Sequence, residues 1–359
     1  MRTIRYLILD LIIESVLFGF WGCSSENIDN GDTEVQEDIL VAFSIGTPES
    51  GEVEYTRADA ANEKRINNLR VYDFLVTGSS AGRKALISTV HHLKKVSSNP
   101  QAGEFATEYN NETGAMTATL KLSLRGTGDT KIDPPHIFAF VANEAPIHFD
   151  TIVRPGVTPI DSLLYCLSTR KLKNEENCDK LAGNDGFVMT SLTGEMQITK
   201  NMGITELPQQ LCRIVSRVDV THNMLPIQNI KIVSVSATNC VSQGYLFSKD
   251  YAGAATCKGY DYTNVVDVKQ NTTVQNELEN LVQGTCENVL YLYEQNAEAI
   301  STPALVLTYT LNGAVNTIQI PKVLNNTRLN FQRNNKYKLV VGTDGGVSTR
   351  VVCTLETDE

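Results

Sequence analysis

Strict two-residue alternation of apolar and polar side chains is the feature that most constrains the fold of this chain. Met116, Ala118, Leu120, Leu122 and Leu124 alternate with Thr117, Thr119, Lys121 and Ser123. No helix collects those apolar residues on one side, whereas a strand does so automatically. The stretch predicts a half-buried strand of an antiparallel sheet. Ile39, Val41, Phe43 and Ile45 repeat the pattern, and so do Leu305, Leu307, Tyr309 and Leu311. Asn312-Gly313 follows the latter run as a hairpin turn, with 315–320 returning from it.

Other stretches extend the picture. Strands are predicted over 68–76, 137–142, 211–220, 230–237 and 287–293, with a further one ending at Val340-Val341. A last strand runs from Ser348 to Leu355, with Val351, Cys353 and Leu355 on one face. Turns are read at 78–82, 125–135 and 342–346. Two segments read as short helices. One is 86–96; the other is 272–283, where Val274, Leu278, Leu281 and Val282 fall at helical spacing. The Lys-, Asn- and Asp-rich stretch 170–187 reads as a surface loop.

A length of 359 residues suits two domains of roughly 150 residues each. The expected architecture is mainly β, with two antiparallel β-sandwich domains and a few short helices. The division places one domain at 58–205 and the other at 206–359, with a change near Leu207-Pro208. A net charge of −10 argues against nucleic acid, whose phosphates need a basic surface.

Arg2 and Arg5 precede the apolar run Tyr6 to Trp21, which ends at Gly22-Cys23 and turns polar at once. The run is short for a spanning helix. It resembles a lipoprotein signal peptide over 1–22, with Cys23 as the acylated residue and 24–38 as a polar tether; an ordinary N-terminal anchor is the alternative. Seven cysteines follow Cys23, and no two stand at C-x-x-C spacing, so neither a zinc ribbon nor a thioredoxin-like site is supported. Seven is odd, so at least one thiol stays unpaired within the chain, and buried free thiols are the expected state.

Signals for catalysis are poor. His91, His92, His136, His148 and His222 form no H-E-x-x-H, and no nucleophile elbow, phosphate loop or dinucleotide fingerprint occurs. No metal site, cofactor or enzymatic activity is expected. Trp21 is the single tryptophan, and Tyr291, Tyr293, Tyr309 and Tyr337 are expected to pack in the core rather than stack sugars.

Five stretches together resemble the fimbrillin family of fimbrial subunits from Bacteroidales. They are Glu63 to Phe74, Ile137 to Asn143, Leu211 to Val220, Tyr291 to Gln295 and Leu329 to Val341. The third departs from the family pattern, with Ser216-Arg217 where Ala-Lys is usual. The resemblance implies transthyretin-like sandwiches and a structural subunit of a cell-surface fimbrium that mediates adhesion. Such a subunit is exported as an outer-membrane lipoprotein, cut by an Arg-specific protease, and polymerised with other fimbrial subunits by donor-strand exchange. Carried onto this chain, Arg57-Ala58 is the expected cleavage site, with 23–57 as tether and removable first strand. Arg65 and Arg70 rank lower because they lie close to or inside the next strand. Ile39, Val41, Phe43 and Ile45 are the displaced knobs, and Val351, Cys353 and Leu355 the donated ones. An uncleaved lipid-anchored subunit at the fimbrial base and a surface glycan-binding lipoprotein are the alternatives.

Overall fold

The computed structural model describes residues 36–46, 64–78, 82–106, 115–125, 134–173, 181–198, 206–223, 229–247, 272–294, 304–320, 323–324, 327–328, 331–343 and 351–358. In chain order, the first half carries β1 (Gln36–Gly46), β2 (Leu69–Thr77), β3 (Lys84–Val96), β4 (Glu104–Ala106), β5 (Ala115–Arg125) and β6 (His136–Ala142). Two short helices follow, α1 (His148–Ile152) and α2 (Asp161–Leu164), then β7 (Met189–Leu192), β8 (Glu206–Gln210) and β9 (Cys212–Arg213). The second half carries β10 (Val215–His222), β11 (Ile230–Cys240), β12 (Thr272–Leu281), β13 (Gly284–Tyr293), β14 (Ala304–Leu311) and β15 (Ala314–Gln319). It closes with β16 (Val323–Leu324), β17 (Thr327–Arg328), β18 (Lys336–Thr343) and β19 (Val351–Asp358). The fold is mainly β, with several sheets.

Strands β1 to β9 form one sheet in the order β8-β1-β5-β4-β3-β2-β6-β7-β9. The sheet turns back on itself. Its β1–β5 end meets the β2–β6 end face to face, so that Phe43 of β1 contacts Phe138 and Phe140 of β6. Strand β6 is buried at every position, as its continuous apolar sequence requires. Phe138, Phe140 and Ala142 face the core shared with β1 and β5. Ile137, Ala139 and Val141 face a second core that continues through the helices into the C-terminal half.

That half holds two four-stranded sheets, β13-β10-β18-β19 and β12-β11-β14-β15. Val218, Val220, Leu339 and Val341 share a core with Ile232, Val235, Leu305 and Leu307. The hairpin expected at Asn312-Gly313 is present: Leu311 pairs with Ala314, and both turn residues have positive φ, 51° and 83°.

Neither expected helix forms. Residues 86–96 lie in β3, and 272–281 are β12. Bulges explain both errors. In the β2–β3 ladder Asp73 pairs with Thr89 but Phe74 pairs with Ile87, so Ser88 is an extra residue and the side-chain parity flips there. Ala85 and Ile87 before the bulge and Val90 after it therefore reach the same core. In the β11–β12 ladder Ile232 pairs with Leu281 and Ser234 with Glu277, leaving two extra residues on β12 near Glu279, whose φ is +45°. Spacings stretched in this way imitate a helical stripe. The 170–187 stretch is not purely a surface loop either, since Leu172, Leu181 and Ala182 are buried, although 174–180 lie outside the described residues.

One residue ties several of these parts together. Asn143 ends β6 in the left-handed region, at φ +61°, and is fully buried. Its side chain accepts a hydrogen bond from the Asn67 amide at 2.8 Å and donates to the carbonyls of Arg65 at 2.6 Å and Phe187 at 2.9 Å. Its own carbonyl accepts from the Arg170 guanidinium, which also donates to the carbonyls of Leu181, Ala182 and Gly186. The start of the body before β2 is thereby fixed to β6 and to the 170–187 segment. Replacing Asn143 with Ala removes the side-chain hydrogen bonds to three backbone groups and puts alanine, which tolerates the left-handed region less well than asparagine, at that backbone position. We expect Asn143→Ala to lower unfolding free energy by about 2–4 kcal/mol in denaturant titrations.

His222, at the end of β10, is buried with no hydrogen-bond partner for either ring nitrogen. Burial lowers its pKa below the ordinary 6.5. The folded protein thus holds fewer protons at this site than the unfolded chain. Its contribution to stability is complete above pH 6.5 and is lost as pH falls below that value. Denaturation midpoints between pH 7 and pH 5 should fall less steeply in His222→Leu than in the parent. Part of the slope should persist through His91, whose pKa burial also lowers.

Candidate functional site

The candidate site is the seat of β1. On one side β1 runs antiparallel to β5, in a continuous register from Gln36↔Arg125 to Gly46↔Ala115. On the other side it runs parallel to β8, from Ala42↔Glu206 to Gly46↔Gln210. The Leu211 amide closes the end of the seat by donating to the Gly46 carbonyl at 2.9 Å. Strand β8 is the outermost strand and contains Pro208, which an outer strand tolerates because it has no ladder donor to lose.

The knobs of β1 fall on one face as the alternation predicts, although Ala42 on the opposite face is also buried. Val41, Phe43 and Ile45 are buried, and Ile39 packs against the same core from the strand's open end. Leu40 is exposed on the opposite face. Phe43 is the central knob: its ring lies 5.0 Å from Phe138 and 5.1 Å from Phe140, edge-on to both. Leu120 and Ala118 of β5 complete the pocket wall and are fully buried. Outside the core, Asp38 forms an ion pair with Lys121 at 2.6 Å and accepts from the Ser123 hydroxyl at 2.6 Å. These hydrogen bonds, Lys121 first, lower the Asp38 pKa.

Residues 47–63 join β1 to the body and lie outside the described residues; they contain Arg57 and Ala58. Cys23 also lies outside them. The other two arginines considered for cleavage are placed. Arg65 is exposed, but its carbonyl is held by Asn143. Arg70 is buried in β2, where its guanidinium bonds Asp150 and the carbonyls of Glu144 and Ala145. A protease has no access to an arginine held in this way.

In the C-terminal half β19 is the outer strand of its sheet, paired antiparallel to β18 from Lys336↔Asp358 to Thr343↔Val351. Val351, Cys353 and Leu355 are buried in the C-terminal core. Burial pushes the Cys353 thiol up to about 12, so it behaves as a small apolar side chain rather than a nucleophile. Cys166 and Cys212 are likewise free of disulfides. The β1 and β19 knobs are not brought together, because they occupy different sheets and different cores.

Among the described residues, no group of three His, Cys, Asp or Glu side chains is placed to hold a metal ion. His91 and His92 stand on opposite faces of a strand rather than on a helix. Tyr291, Tyr293 and Tyr337 are buried and Tyr309 is partly buried, with Phe187 and Tyr291 in ring contact at 4.3 Å. Sequence reasoning missed β8, the second wall of the seat. Its five-residue run with a central proline carries no alternation to reveal it.

No protein-family model and no curated protein matches the sequence. Solved structures do match. The tip fimbrial protein Mfa3 of Porphyromonas gingivalis, truncated at its C-terminus, superposes with a TM-score of 0.53 at 16% identity; the match covers 89% of this chain and 99% of that one. A fimbrial assembly protein from Parabacteroides distasonis matches at 13% identity and a TM-score of 0.47, covering 90% and 96% of the two chains. The fimbrial anchor protein Mfa2 of Porphyromonas gingivalis matches at 11% identity and a TM-score of 0.39, covering 90% and 97%. The first of these likenesses carries the fold: this chain shares its overall architecture with that fimbrial protein.

Proposed function

We propose that this chain is a structural subunit of a cell-surface fimbrium, built as two transthyretin-like β-sandwich domains that meet after β9 rather than at 205, since β8 and β9 pair within the N-terminal sheet. It is exported as a lipoprotein acylated at Cys23, held at the outer membrane, and cut between Arg57 and Ala58 by an Arg-specific protease. The cut frees β1, and a strand from another fimbrial subunit takes its seat. In turn β19 leaves β18 and donates Val351, Cys353 and Leu355 to a different subunit, so that adhesion follows from the assembled fibre.

The observation that carries this reading is the construction of the seat. Strand β1 supplies a ladder on both sides and three buried knobs, yet residues 47–63 alone join it to the body. A strand held in that way is replaceable by any other that reproduces its hydrogen bonds and fills its pockets. The anchoring of Arg65 to Asn143 means that a cut at Arg57 leaves the start of the body intact. Burial of Arg70 removes the competing site in β2.

The N-terminus of the protein on cells tests the proposal. Processing predicts a chain that begins at Ala58 and an Arg57→Ala variant that stays unprocessed and absent from fibres. Fibres containing Arg57→Ala in parental amounts would contradict it. A chain that retains acylated Cys23 on cells would instead make it an uncut anchor at the fimbrial base.

A further inference from the structure

We infer that, once β1 leaves, its seat is filled by a strand of a different polypeptide that carries an aromatic residue at its centre, and not by β19 of a second copy of this chain. The inference rests on the strand-exchange reading above and names the class of partner that reading requires.

The seat is shaped around a ring. Phe43 is fully buried between the edges of Phe138 and Phe140 and against β5, with Val41 and Ile45 to either side. Any replacement must present three apolar side chains at alternate positions, and the middle one must match a phenylalanine. Strand β19 offers Val351, Cys353 and Leu355 at that spacing. Cys353 is the middle member, so it meets the Phe43 pocket whichever direction the strand runs. A thiol there leaves most of the ring's volume empty, and a core does not collapse to close such a void without loss.

Sliding the register does not rescue the fit. Moving Leu355 to the centre drives Thr357 into one of the flanking apolar pockets. Moving Val351 to the centre drives Thr349 into one. The opposite face of β19 carries Thr354 and Glu356, both exposed, and a carboxylate in this pocket would lie buried without a partner. Residues 344–359 contain no Phe, Tyr or Trp at all. In its own sheet β19 meets no such demand, because Cys353 is buried opposite Val341. The two strands are therefore not interchangeable, and a head-to-tail homopolymer lacks a fitting joint.

The test uses the full chain with a site-specific protease sequence inserted within 47–63, so that β1 is released whether or not Arg57 is the natural site. After cleavage and mild denaturant, the protein is challenged with three labelled peptides: 36–46, 348–359, and 348–359 with Cys353→Phe. The expected result is binding of 36–46, binding of 348–359 at least about 100-fold weaker, and recovery of at least tenfold with Cys353→Phe. Binding of 348–359 within tenfold of 36–46 overturns the inference and leaves the replaceable seat standing. Failure of Cys353→Phe to improve binding overturns the aromatic requirement. Failure of all three peptides, including 36–46, overturns strand exchange itself and the inference with it.

Discussion

The N-terminal half depends on one contact, the insertion of the Phe43 ring between Phe138 and Phe140. A single sheet cannot bury both of its faces unless it turns back on itself or meets another layer. Here the sheet turns back, and β1 with β5 closes over β6 and β2. Without β1, Leu120 and Ala118 of β5 would lose their cover, and β8 would lose its partner in the sheet. The strand that closes the core is also the one whose connection to the body runs through 47–63 alone. Closure of the core and the proposed exchange thus involve the same eleven residues.

Much of this was legible in the sequence. Two-residue alternation located β1, β5, β14 and β19, and the continuous apolar run of β6 announced a strand covered on both faces. Bulges defeated the reading elsewhere. Ser88 shifts the parity of β3, and the extra residues near Glu279 leave Leu278 and Leu281 three apart, a helical spacing. Alternation assumes an unbroken ladder, and a single inserted residue inverts every side chain beyond it. Non-local pairing was also invisible. The parallel contact between β1 and β8 joins residues far apart in the chain, and nothing in Glu206–Gln210 points to it.

Polar residues gave their meaning only in three dimensions. Asn143 stood in the sequence as the end of an apolar strand, and the fold gives the reason: its left-handed backbone and four hydrogen bonds lock three segments together. Asp219 has a similar role in the other half. It accepts from the Asn288 amide at 2.7 Å and so braces the bulge of β13, while Arg217 grips its carboxylate from the same strand at 2.7 and 2.8 Å. Arg333 fastens Glu294 and the carbonyls of Tyr245 and Leu246. Thr190 of β7 bonds that same Leu246 carbonyl at 2.7 Å, so the two halves share a fixed polar seam beside their common core.

Replaceability of β1 is the central claim, and hydrogen exchange read by mass spectrometry tests it most directly. The intact chain is compared with one cut within 47–63 and stripped of the fragment that carries β1. The account predicts that amides of β5 and β8 lose protection together, while those of β10, β11, β14 and β18 keep theirs. Unchanged protection in β5 and β8, or loss of protection throughout both halves, would contradict it.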